Sequence, residues 1–170
     1  MSAVALATCA VMPLVISLQP LIFGISQLVT ALQIGVFFAI GLYKVRKPGS
    51  LLIMALMMGL IQLMMSPPMF LSSVLNGVLI ELIVLLLFRG YEKDGAVFCA
   101  AMLHTPLSLP FNYLYNRLVK GADSPLAAVA DRAPLAAVGM TLAVVAVSAL
   151  GALIGIKIAR ELKKSGVLKK

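Results

Sequence analysis

The sequence predicts an all-α integral membrane protein of six transmembrane helices with both termini cytoplasmic. Three observations carry that expectation. Of 170 residues, 62% are hydrophobic and only 12% charged, against roughly 25% charged in soluble domains, and mean hydropathy is +1.08. The apolar residues fall into six runs, most near the ~20 residues needed to cross a bilayer. The basic residues cluster after every second run. A soluble fold this small could not bury so much apolar surface, which excludes a soluble enzyme, a disordered chain and a nucleic-acid-binding module. A nucleotide-binding domain has no room either, so energy must come from a gradient or a partner chain.

The first run extends from about Ala3 to Ile22 and contains Pro13. The second, Gln27 to Tyr43, stops at the basic segment Lys44–Gly49. The third, Ser50 to Met65, is rich in Leu and Met and ends at Ser66-Pro67-Pro68. The fourth, Phe70 to Phe88, stops at the polar turn Arg89–Gly95. The fifth, Ala96 to Tyr115, carries Pro106 and Pro110, and a polar loop from Asn116 to Arg132 follows. The sixth runs from Pro134 to Ile156, leaving Lys157–Lys170 as a basic cytoplasmic tail on a single transmembrane domain, 1–170. Runs in lipid must satisfy their own backbone hydrogen bonds and are therefore helical. The prolines predict kinks or unwound turns in the first and fifth.

Orientation follows from charge. Eleven of the fourteen Lys and Arg residues follow even-numbered runs; the odd connections carry only Arg117, Lys120 and Arg132, offset by Asp123 and Asp131. The positive-inside rule then puts both ends in the cytoplasm of a multi-pass cell-membrane protein. Leu6–Cys9 faintly resembles a lipoprotein cleavage box but has no basic segment before it, so the first run reads as a span rather than a signal peptide. Cys9 and Cys99 lie inside apolar runs with no CxxC spacing or Cys/His cluster, so neither a metal site, a cofactor nor a disulfide framework is expected.

Polar groups at membrane depth are expensive and face the bundle interior. Gln62, Asn76, Asn112 and Tyr113 all fall in the outer halves of the third, fourth and fifth runs. Together they suggest a pocket open to the outside, with interhelical hydrogen bonding as the alternative use. Glu81 and His104 lie about 12–14 Å from the cytoplasmic boundary at 1.5 Å per residue. At matching depth on consecutive helices they could pair, as a structural bond, a proton relay or a substrate contact. No nucleophile with a base partner and no second carboxylate beside Glu81 is found, so catalysis is not expected. Small residues line one face of the first run (Ala3, Ala7, Ala10) and of the sixth (Gly151, Gly155, Ala159). Such spacing serves docking to another membrane protein or packing within the chain equally well.

Three segments stand in order along the chain: Val45–Gly49 after the second run, Gly77-x-x-x-Glu81 with Phe88-Arg89, and the basic helix Ala159–Lys164. Together they resemble the substrate-capture (S) components of energy-coupling factor (ECF) transporters, in the branch handling thiamine and its hydroxymethylpyrimidine precursor. The resemblance implies capture of a vitamin or related micronutrient from outside, delivered inward without catalysis. The partners it implies are a transmembrane coupling subunit and two ATPases, with Ala3, Ala7 and Ala10 as the docking face. Where that branch carries a carboxylate near the outer end of the third helix, this chain has Gln62, and it has no Trp. Thiamine, its pyrimidine precursor and a neutral small molecule therefore all stay open as substrates. The candidate substrate-binding residues are Gln62, Asn76, Glu81, His104, Asn112 and Tyr113. The competing readings are a self-contained proton-coupled transporter using Glu81 and His104, and a structural subunit of a membrane complex.

Overall fold

The computed structural model describes residues 24–64, 67–119, 121, 124, 128 and 131–166. The first apolar run, with Ala3, Ala7 and Ala10, lies outside the described residues. The other five runs are all helical: α1 (Ile25–Lys44), α2 (Ser50–Leu63), α3 (Pro67–Phe88), α4 (Asp94–Val119) and α5 (Pro134–Lys164). No strand occurs among the described residues. Successive helices are antiparallel, so α1, α3 and α5 run towards one end of the bundle and α2 and α4 away from it. That end, carrying Lys44, Arg46, Arg89, Lys93 and Arg160, is called the basic end below.

The six expected spans are not all met by what is described. Three helices, α1, α3 and α5, are long and apolar enough to cross a membrane. α2 has 14 residues and reaches only about 21 Å, short of a hydrocarbon core about 30 Å thick. α4 has the length, at 26 residues, but its Ser, Thr, His, Asn and Pro residues dilute its hydropathy. The helix ends also shift from their expected places. α3 begins at Pro67 because a first-turn proline needs no N–H donor and has its φ already set. α4 stays helical through Pro106 and Pro110, so of the expected kinks or unwound turns the unwound turn does not occur there. The basic tail could continue the sixth helix, and as far as Lys164 it does, as part of α5.

Packing follows residue size. α1 and α5, parallel and more than a hundred residues apart in sequence, share the broadest contact in the bundle. Their backbones approach so closely that a Cβ built on Gly151 would lie 2.5 Å from the Leu32 carbonyl oxygen, and one on Gly155 2.7 Å from that of Val36. The small-residue face of the sixth run is thus used within the chain. α4 packs against α1, α3 and α5, while α2 rests mainly on α3. There Gly77 faces Ala55, and a Cβ on Gly77 would fall 2.6 Å from that of Ala55. The main core, with Phe38, Leu42, Leu51, Ile80, Val84 and Val97, fills the basic half of the bundle. A smaller cluster of Ala31, Leu109 and Val144 sits in the other half. Large aliphatic side chains such as Ile61, Leu86, Leu87 and Leu142 point outwards, as suits a surface solvated by lipid tails.

The basic end is tied by one carboxylate. Asp94, the first residue of α4, accepts from Arg46 at 2.7 Å and from Arg160 at 2.6 Å. Arg46 also donates to the Glu92 carbonyl and lies over the Tyr43 ring, 3.9 Å from its centroid. Partial burial raises the Asp94 carboxyl, but hydrogen bonds from Arg160 and Arg46 outweigh it and hold the group below its ordinary 3.8. A carboxyl depressed in the folded state stabilises above its unfolded pKa and loses that contribution as pH falls through the folded value. Thermal melting in detergent is therefore expected to show stability declining below about pH 4, and Asp94→Asn to remove that part of the decline. At neutral pH the variant should lose about 1 kcal/mol, since exposed ion pairs contribute little each.

Candidate functional site

Glu81 is held by the two turns at the basic end. Gly49, at the start of α2 with φ 84°, donates its N–H to Oε1 at 2.7 Å. Tyr91 donates its hydroxyl to Oε2 at 2.9 Å. Tyr91 belongs to the α3–α4 turn yet is fully buried, because the chain reverses through positive φ at Arg89 (60°) and Gly90 (151°) and folds the ring back into the core. Burial first, then the Glu81 carboxylate, pushes the Tyr91 hydroxyl well above the usual phenol range. A carboxylate at a helix N-terminus is favoured by the helix dipole. Glu81 therefore fastens α3 to both turns.

The possible Glu81–His104 pair does not form. Equal depth did not bring the two together, because the inward-folded Tyr91 and the Gly49 N–H occupy both carboxylate oxygens. His104 is 5% exposed, and neither ring nitrogen has a hydrogen-bond partner. Its ring lies against Phe38 of α1, centroids 4.3 Å apart and tilted by 34°.

Among the described residues, one other buried polar atom without a partner, Ser50 Oγ, lies at the basic end, and three lie near the level of His104. These three are Asn76 Oδ1 on α3, Thr105 Oγ1 on α4 and Ser148 Oγ on α5. Counted at 1.5 Å per residue from Asp94, Phe88 and the paired Arg160, all four side chains stand about 15–18 Å from the basic end. Pro106, lacking an N–H, leaves the Met102 carbonyl without its usual i+4 donor on the adjacent turn. Buried polar groups almost always find partners, and each one left without costs about 1–3 kcal/mol. A belt of such groups can receive hydrogen bonds from, and donate them to, a small molecule.

The remaining expected site residues lie nearer the other end. Gln62, in the last turn of α2, and Asn112 and Tyr113 on α4 are half-buried. The Asn112 carbonyl accepts from the Asn116 amide at 2.8 Å. Tyr113 donates to Asp131 at 2.7 Å and accepts from Arg117, which itself pairs with Asp131 at 3.3 Å. That trio closes the α4 end onto the segment before α5. Asn76 and His104 share the mid-bundle level, whereas Glu81 is engaged at the basic end and Tyr113 in the Asp131 trio. Thr105, Ser148 and Tyr91 were not singled out from the sequence. Ser148 was legible in principle, since it shares a helical face with Gly151, Ala152, Gly155 and Ala159.

This helical bundle with lipid-facing aliphatic surfaces matches a family described as hypothetical bacterial integral membrane proteins (Trep_Strep) over residues 1–164. The chain belongs to the Trep_Strep family. As a Trep_Strep member it is a multi-pass protein of the cell membrane, as its composition predicts. No curated protein and no solved structure matches it.

Proposed function

We propose that this Trep_Strep protein is the substrate-capture subunit of an ECF-type importer, binding a vitamin-like small molecule from outside and handing it inward without chemistry of its own. The observation that carries the reading is the belt of buried, unpartnered polar groups: Asn76, His104, Thr105 and Ser148. A ligand would supply the hydrogen bonds these groups lack. Gln62, Asn112 and Tyr113 lie nearer the outer end of the bundle than the belt does. In this reading the segment before Gly24 adds a sixth crossing and presents Ala3, Ala7 and Ala10 to a coupling subunit carrying two ATPases. In this reading α2 and α4 also count as crossings, the short α2 by local thinning of the bilayer. Both termini are then cytoplasmic, in keeping with the placement of the basic residues. The rival proton-coupled transporter requires proton exchange between Glu81 and His104, and Glu81 is engaged with Gly49 and Tyr91 instead.

Native mass spectrometry of the purified protein is expected to reveal a co-purified small molecule. Calorimetric titration with thiamine and with its hydroxymethylpyrimidine precursor should then show binding of one of them. Asn76→Ala and Asn112→Ala should each weaken it about tenfold, the equivalent of one lost buried hydrogen bond. Normal binding by variants that melt early would make these residues interhelical contacts and remove the pocket.

A further inference from the structure

A groove of about 670 Å³ opens at the basic end between the first turns of α4 and the last third of α5. Its apolar wall is formed by Phe98, Leu153 and Ile156, and its charged wall by Lys157, Arg160 and Lys164. The two walls follow each other along α5. From Pro134 to Ile156 that helix carries no charge, and from Lys157 it is strongly basic. The groove therefore straddles the boundary between hydrocarbon and headgroups. From Leu153 to Lys164 it covers about 16 Å of helix. The acidic residues lining it, Asp94 and Glu161, are already matched: Asp94 by Arg46 and Arg160, Glu161 by Lys164 at 2.8 Å. Lys157 has no comparable ion pair among the described residues, which leaves positive charge facing the groove.

We propose that this groove seats an anionic phospholipid, its phosphate against Lys157 and its neighbours Arg160 and Lys164, and an acyl chain along Phe98, Leu153 and Ile156. The charge complements an anionic headgroup and not a zwitterionic one. The apolar wall lies on the hydrocarbon side of Lys157, where an acyl chain runs; a free phosphate has no use for it. Basic pockets between membrane helices bind acidic headgroups by this combination. The site is independent of the mid-bundle belt and of any substrate bound there.

The test uses the full chain purified in a neutral detergent, with lipid retention read by native mass spectrometry. Phosphatidylglycerol is expected to be retained over phosphatidylcholine. Lys157→Glu should reduce that preference at least about fivefold, since one basic residue near an anionic surface contributes about that factor. Lys47→Glu, an exposed position at the same end of the bundle but outside the groove, should leave it unchanged. Inorganic phosphate at millimolar concentration should fail to displace the lipid. Equal retention of both lipids overturns the proposal. So does an equal effect of the two substitutions, which would make the attraction diffuse, or displacement by phosphate, which would make the site one for a free anion.

Discussion

Gly151→Ala is expected to destabilise the folded chain by about 3 kcal/mol or more, the upper range for overpacking a filled interface. The added methyl would meet the Leu32 carbonyl oxygen at 2.5 Å and the Leu32 Cα at 3.1 Å. Both are backbone atoms of α1, so no side-chain rotation relieves the contact and the two helices must move apart. Separation would also loosen Gly35 from the Ser148 and Gly151 backbones, and Gly155 from Val36 and Ala39. Gly139 on the same helix is the control, because a Cβ there meets nothing within 4 Å. Gly139→Ala should be neutral or stabilising by about 0.5–1 kcal/mol, from the lower conformational entropy of its unfolded chain. Thermal melting of both variants in one detergent decides the matter. Equal melting temperatures would mean that α1 and α5 are not held in close backbone contact.

Glu81→Ala should lower stability by about 3 kcal/mol. The substitution leaves the Tyr91 hydroxyl and the Gly49 N–H without an acceptor in a buried setting, and each such orphan costs about 1–3 kcal/mol. Glu81→Gln should be much milder: its amide oxygen can still accept from Gly49 while its NH2 donates to the Tyr91 oxygen. Tyr91→Phe should fall between them, at about 1.5 kcal/mol, since it removes a single hydrogen bond to the carboxylate. The order Ala, Phe, Gln from most to least damaging is the outcome to check by melting. If Glu81→Gln proves as harmful as Glu81→Ala, the hydrogen-bond account of this residue fails.

The five described helices were legible because apolar runs in lipid have one way to satisfy their backbones, and the polar turns between them are unambiguous. Helix ends were less so. Pro67 and Pro68 read as a break between spans, yet a helix start accepts proline in its first turn, and the same residues open α3. The charges after Ile156 mark a membrane boundary without ending α5, because Lys and Arg are good helix formers and favoured near a helix C-terminus. Pro106 and Pro110 each remove one backbone bond, and the surrounding packing keeps α4 helical through both. For the site, depth along a helix could be counted but rotation could not. Glu81 and His104 were placed at one depth, and the partner that takes Glu81 is instead a tyrosine from a charged turn. A tyrosine flanked by Gly90 and Glu92 in a polar turn gives no sign of burial; only the reversed backbone at Arg89 and Gly90 folds it inward. Ser148 was hidden differently, as a single hydroxyl in a run of Ala and Val that offers no contrast except its register with Gly151 and Gly155.

The parallel seam between α1 and α5 bears on the order of events during synthesis. Gly35 meets Ser148 and Gly151, so about 110 residues separate the two halves of the seam, roughly 5–20 s of elongation at about 5–20 residues per second. Throughout that interval α1 resides in the bilayer with its Gly35 and Ala39 face not yet covered by α5. A nascent chain arrested before Pro134 would hold α1 to α4 without their lid, and its grooved α1 surface would be open to any small-residue helix nearby. Quality-control proteases acting on membrane proteins should therefore clear chains truncated between Val119 and Pro134 faster than chains truncated after Lys164.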